Sequence, residues 1–134
     1  MNPHAEELIA ILGLQPHPEG GWFRQVFKSD ERVIRVSDHA NRAALTTIYF
    51  LLVDGTFSAW HRVKSDEVWH WYEGEALELF TRTSSTTLDA TNRVHVIRAG
   101  EWQAARPLGA YALVGCTVGP GFEFDDFEMT PGPI

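Results

Sequence analysis

Between Gly55 and Gly74 the chain places a histidine, His61, six residues before a glutamate, Glu67. An imidazole with an ordinary pKa near 6.5 suits proton transfer at neutral pH, and a nearby carboxylate can hold the ring in one tautomer and raise that pKa. Two readings follow. Either His61 is a general base oriented by Glu67, or it is a hydrogen-bonded core histidine and Glu67 is a strand-end carboxylate facing water. Asp66 reads as a turn residue beside them. On a strand, Glu67, Trp69 and Trp71 share one face, and Val68, His70 and Tyr72 share the other. The two tryptophans either fill the core or line a cavity on which an amphipathic ligand stacks. Trp60, of opposite parity to His61, is assigned to packing. Tyr49, Tyr72 and Tyr111 each offer a phenolic acid or, equally, a buried ring with a satisfied hydroxyl.

The elements that must position these groups are mostly strands. β-Branched and aromatic runs at Trp22–Phe27, Leu45–Val53, Phe57–Arg62, Val68–Tyr72, Ala76–Arg82, Val94–Ile97 and Tyr111–Val118 are separated by turn residues. That many short strands in one domain imply a sandwich or barrel. One helix precedes them: Asn2 caps it, Pro3 suits its first position, Glu6 and Glu7 favour its positive end, and Gly13 terminates it, with Leu8, Ile11 and Leu12 as its apolar face. The charged segment 28–42 and the Ser/Thr-rich segment 81–92 read as exposed loops or hairpins.

Composition narrows the classes of function. The 134 residues suit a single domain over 1–134, large enough to fold without a metal or disulfide. A formal charge of −7 with scattered arginines disfavours nucleic acid. The longest apolar run, Ile48 to Val53, is too short to span a bilayer, and the first residues lack the pattern of a signal peptide. With Cys116 as the lone cysteine, a cytoplasmic protein is expected.

The intervals Gly55, His61, Glu67 and Gly74 match the first motif of the cupins, G-x5-H-x-H-x3-E-x6-G, with Val63 at the position of the second histidine. Gly100, Pro107 and Gly109 echo the second cupin motif, with Ala112 where its histidine would be and Cys116 where its asparagine would be. The phrases beginning at His17, Ser65 and Pro120 resemble more narrowly the small cupins described as predicted sugar epimerases. The resemblance covers the chain from about Trp22 to Phe127. It implies an all-β cupin double-stranded β-helix, a jelly-roll β-barrel, with a short N-terminal helix outside. It also implies a homodimer and a cavity that takes a small-molecule ligand. His61 and Glu67 would be its catalytic residues, and Trp69, Trp71, Tyr49 and Tyr111 candidates for binding substrate. The Glu19-Gly20-Gly21 turn would reach the pocket, with Arg24 after it as an anchor for a phosphate or carboxylate, or as a surface ion pair. One of Glu123, Asp125 and Asp126 would enter the cavity.

Metal-dependent cupins use both histidines and the glutamate of the first motif with the histidine of the second. Val63 and Ala112 cannot ligate, so no metal or other cofactor is expected. A reduced site would need His61, Glu67 and His70, and strand parity places His70 on the face opposite Glu67. Three functions remain open: a metal-independent isomerase or epimerase of a sugar or related small polar metabolite, a non-catalytic ligand-binding module, and a metalloenzyme with that reduced set. In the first, His61 removes a proton beside a carbonyl, Glu67 orients it, and a tyrosine or Arg24 stabilises the enolate.

Overall fold

The Asn2 side chain accepts hydrogen bonds from the amides of His4 and Ala5, at 2.9 and 3.1 Å, and so starts helix α1, Pro3–Leu12. Gly13, left-handed at φ 66°, ends it. In this computed structural model, which describes residues 1–130, 132 and 134, α1 lies against the outside of a β-barrel. Its inward stripe is Ala5, Leu8, Ile9 and Leu12, at the spacing of one helical face. Ile11 falls off that stripe and is 75% exposed, correcting its assignment to the apolar face.

The strands, in chain order, are β1 (Gln15–Pro16), β2 (Trp22–Lys28), β3 (Arg32–Ile34), β4 (Asn41–Ala43), β5 (Thr46–Val53), β6 (Ser58–Arg62), β7 (Asp66–Gly74), β8 (Leu77–Thr81), β9 (Ser85–Leu88), β10 (Val94–Ile97), β11 (Gln103–Pro107), β12 (Tyr111–Gly119) and β13 (Glu128–Met129). Two antiparallel sheets face each other, one in the order β1-β2-β5-β12-β7-β10 and the other β13-β6-β11-β8-β9. This is the expected all-β jelly-roll double-stranded β-helix with one short helix. The two polar segments form hairpins, β3 with β4 and β8 with β9. Strand β11 is unannounced by β-branched residues; it runs between β6 and β8, where Ala104 and Ala105 are fully buried.

The main core fills the space between the sheets, with Phe50, Leu52, Trp69 and Val114 on one side and Leu77, Leu79 and Ala105 on the other. A second cluster joins α1 to Leu51, Val53 and Leu113 on the outer face of the larger sheet. Burial at ~25 cal/mol per Å² makes these two clusters the main source of stability. On that outer face Gly115 admits the Tyr72 ring, since a Cβ there would lie 2.4 Å from the Tyr72 hydroxyl. No helix among the described residues is long and apolar enough to cross a membrane.

Candidate active site in the barrel cavity

A cavity of about 70 Å³ opens between the sheets. His17 and Glu19 enter it from the turn between β1 and β2, His61 from β6, Glu67 from β7 and Cys116 from β12. Facing these polar groups are Phe23 of β2 and three phenylalanines of the C-terminal segment, Phe122, Phe124 and Phe127.

Glu19 reaches the cavity because the chain turns back through two glycines. Gly20 and Gly21 have φ of 108° and 74°, and a Cβ on Gly20 would lie 2.1 Å from the Phe57 carbonyl oxygen. The turn is closed by the amides of His17 to Gly21 O and Gly20 to His17 O, at 2.9 and 3.0 Å. It is docked on β6 by the Ala59 amide donating to Glu19 O at 2.7 Å.

His61 Nδ1 lies 2.7 Å from Ala59 O and 2.9 Å from Glu19 Oε2. Both neighbours accept, so Nδ1 carries the proton, and Nε2 is the nitrogen free to exchange one. Burial opposes a charge on this ring. The charge and hydrogen bond of Glu19, helped by the charge of Glu67, outweigh it and raise the His61 pKa to about 9. Glu19 mirrors this: burial would raise its pKa, but His61 first and His17 second hold it below the usual carboxylate value. The His17 Nδ1 accepts from the Glu19 amide at 3.1 Å, and burial lowers its pKa, so His17 is the neutral imidazole of the two. Its 3.8 Å approach to Glu19 Oε1 is accordingly no ion pair.

Glu67 is held differently. The Trp69 indole N–H donates to Gln103 Oε1 at 2.8 Å, which turns the amide so that Nε2 donates to Glu67 Oε1 at 2.8 Å. An indole can only donate, so it fixes which end of Gln103 meets the carboxylate. Burial raises the Glu67 pKa, and Glu19 adds to the rise against the pull of His61. Burial likewise keeps the neighbouring Cys116 a thiol, its pKa well above the ordinary value.

The aromatic side is anchored from outside. Asp126, buried, receives paired hydrogen bonds from Arg35 at 3.0 and 3.1 Å and from Arg42 at 2.9 Å. That clasp fixes the short 3-10 helix Phe124–Asp126, and Phe127 stacks on His61 with centroids 5.7 Å apart and planes 29° apart.

The structure brings His61 and Glu67 to one cavity but corrects other sequence-based positions. The carboxylate on His61 Nδ1 is Glu19, not Glu67. Arg24 faces outward between the cavity residues Phe23 and Gln25, and donates to Leu12 O at 3.3 Å. Trp69 is fully buried in the core, and Trp71 packs beside it with its indole donating to Glu75 O at 2.9 Å. Tyr49 and Tyr111 belong to the outer cluster under α1, where Tyr111 donates to Glu73 at 3.0 Å. None of these five lines the cavity. Nor does an acid of the C-terminal segment: Asp126 pairs with the arginines, and Glu123 with Lys28 at 2.8 Å. The Glu19-Gly20-Gly21 turn reaches the cavity, where the resemblance implied it would, but its pairing with His61 was not foreseen. The cavity residues passed over in sequence are His17 and the phenylalanines, with Gln103 beneath them.

The donors do not fit the four-ligand metal centre of metal-dependent cupins. Val63 lines the cavity where a histidine would ligate, and Ala112 lies in the apolar core. His70, opposite Val94 and Gly115, sits on the outer face and cannot join His61 and Glu67. Among the described residues no three His, Cys, Asp or Glu side chains are grouped so as to hold a metal ion.

Comparison with known proteins agrees with this architecture. The chain is similar to a hypothetical protein from Leishmania major, with TM-score 0.86 and 29% identity over 94% of this chain and 86% of that one. It is also similar to a protein from Shewanella oneidensis known from an X-ray crystal structure, with TM-score 0.81 and 32% identity over 94% and 84% of the two chains. KdgF from Halomonas sp. shares the fold, with TM-score 0.64 and 15% identity over 84% of this chain and 90% of that one. No curated protein matches. The family model Cupin_5, described as Cupin superfamily (DUF985), matches residues 6–130, and the chain therefore belongs to the cupin superfamily.

Proposed function

We propose that this cupin binds a small polar carbonyl metabolite, the class to which simple sugars belong, and isomerises or epimerises it by proton transfer. The observation that carries this reading is His61, fixed through Nδ1 by Glu19 and Ala59 with Nε2 left free, in a cavity that holds a second buried carboxylate, Glu67. Glu19 keeps His61 protonated at neutral pH, so His61 serves as the acid and Glu67 as the base. This reverses the roles that spacing alone suggests. The raised pKa of Glu67 makes its ionised form the stronger base.

In the first half-reaction Glu67 removes the proton from the carbon beside the carbonyl. The electron pair of that C–H bond becomes the new C=C bond, the carbonyl π pair moves onto oxygen, and His61 gives that oxygen the Nε2 proton. For the epimer, the enol turns over, its new hydroxyl returns the proton to His61 as the carbonyl re-forms, and Glu67 protonates the original carbon on its other face. For the isomer of an α-hydroxycarbonyl compound, Glu67 protonates the former carbonyl carbon, and the hydroxyl on the neighbouring carbon gives its proton to His61 as it becomes the new carbonyl. The test is deuterium incorporation beside the carbonyl in D₂O. Exchange should fall by a factor on the order of 10²–10⁴ in His61→Ala and in Glu67→Gln, with the fold retained. Exchange at the wild-type rate in both variants would remove these residues from the reaction.

A further inference from the structure

Resting on the proton-transfer reading, we infer that the substrate is a short, uncharged carbonyl compound with an alkyl flank, and not a polyhydroxylated sugar or a phosphate ester. Three features of the cavity lead there.

The first is size. A protein cavity of about 150 Å³ takes one benzene. One of about 70 Å³ thus holds the carbonyl and one or two attached carbon groups, whereas a hexose is larger than benzene itself.

The second is the supply of hydrogen-bond partners. Outside the His/Glu/Cys group, the only lining side chains with an amide or hydroxyl among the described residues are Gln25, exposed at the mouth, and Thr46, whose Oγ1 already accepts from the Phe122 amide at 2.9 Å. The remaining walls are phenylalanine, isoleucine and valine. Hydroxyls on a sugar chain would lose water there and find no partner, while an alkyl group would lose nothing.

The third is charge. Among the described residues no lysine or arginine lines the cavity, and its two carboxylates face one imidazolium. A phosphate or carboxylate brought inside would meet Glu67 and Glu19 without a counter-ion, and burying such an anion unpaired is costly. A cationic ligand would find the phenylalanine faces favourable but would pair with Glu67 and take that carboxylate out of service as the base. A neutral molecule avoids both conflicts: its carbonyl oxygen takes the His61 Nε2–H, its acidic C–H faces Glu67, and its alkyl flank packs on Phe127 and Phe122. Phe127, stacked on His61, then sets how long that flank can be.

The experiment compares hydroxyacetone and 2-butanone as short neutral probes with fructose as the polyol and dihydroxyacetone phosphate as the anion. NMR shift perturbation reads binding, and deuterium incorporation reads turnover. The short neutral probes should bind and exchange at least about tenfold better than the other two. Fructose or dihydroxyacetone phosphate performing as well or better would overturn the substrate class and leave the proton-transfer reading standing. Hydroxyacetone that binds with that preference but does not exchange would support the class and overturn the reaction. Failure of every probe to bind would overturn the class. As a second measurement, Phe127→Ala, checked for an intact fold by circular dichroism, should raise exchange of a longer ketone such as 3-hexanone about tenfold or more relative to 2-butanone. An unchanged ratio in a folded variant would count against an aromatic size filter.

Discussion

The proton on His61 ties stability to pH. Its pKa, 6.5 when exposed, rises to about 9 in the folded chain, so the imidazolium binds its proton more tightly there. A group raised in this way contributes stability that is complete below pH 6.5 and disappears as pH climbs to about 9. Glu19, shifted downward, contributes in the opposite sense: its share is present above the ordinary carboxylate range and is lost on acidification. The melting temperature should therefore fall between pH 6.5 and 9. In Glu19→Gln that alkaline slope should flatten, because burial is then opposed only by the charge of Glu67 and the Ala59 carbonyl and pulls the His61 pKa down. Calorimetry across this range, with an NMR titration of the ring, decides it; an undiminished slope in the variant would show that Glu19 does not hold the proton. Gln103→Leu tests the other carboxylate. It strips hydrogen bonds from both Glu67 and the Trp69 indole, with an expected cost of about 1–3 kcal/mol per orphaned group. The acidic limb of the exchange reaction, where Glu67 must lose its proton to act as base, should move to higher pH as Glu67 becomes harder to ionise. A Gln103→Leu protein with wild-type stability and pH profile would separate Glu67 from this relay.

Two irregular elements hold the chemistry in place, and neither is a strand. The double-glycine turn delivers Glu19, so Gly20→Ala should destabilise by on the order of 2 kcal/mol, since its Cβ collides with backbone and its φ of 108° disfavours any side chain. Because the collision pushes the turn off β6, the His61 pKa should drop with it, a change that loss of packing elsewhere would not produce. The second element is the C-terminal segment clasped by Asp126. Asp126→Asn leaves two arginines short of a charge, one of them buried, and should cost about 3 kcal/mol by urea melting while raising hydrogen exchange at Phe124 and Phe127. Much of this was legible in the chain. The helix with its Asn2 cap, seven of the strands and the His61–Glu67 interval are local patterns, and alternation placed Trp69 and Glu67 on one face. Depth was not legible: two residues carry a strand about 6.6 Å, enough to take Trp69 from the cavity into the core. The Glu19–His61 pair was hidden because it depends on where a turn after β1 docks on β6, far along the sequence. Strand β11, and Gln103 with it, was hidden because a buried central strand can be built from alanine when its neighbours leave no room for more.

In the whole molecule, part of the apolar outer face of the sheet is bare. On the outer face of the larger sheet, α1 covers Leu51, Val53 and Leu113, while Val94 and Val96 on β10 remain 51% and 49% exposed and Tyr72 on β7 remains 46% exposed. β10 is also an edge strand, bonded to β7 alone. Apolar side chains on an unpaired edge invite a second chain, and a two-fold axis would let the same patch meet itself. A homodimer is thus the expected solution state, with the cavity, which opens between the sheets, left accessible. Light scattering at micromolar concentration should return about 30 kDa, twice the 15.1 kDa of one chain. Val96→Asp places a charge in the centre of that face and should shift the mass towards one chain without changing the circular dichroism of the fold or the exchange activity. Wild-type protein that scatters as a single chain would show that this face stays in water, and a Val96→Asp protein that remains dimeric would move the interface elsewhere on the barrel.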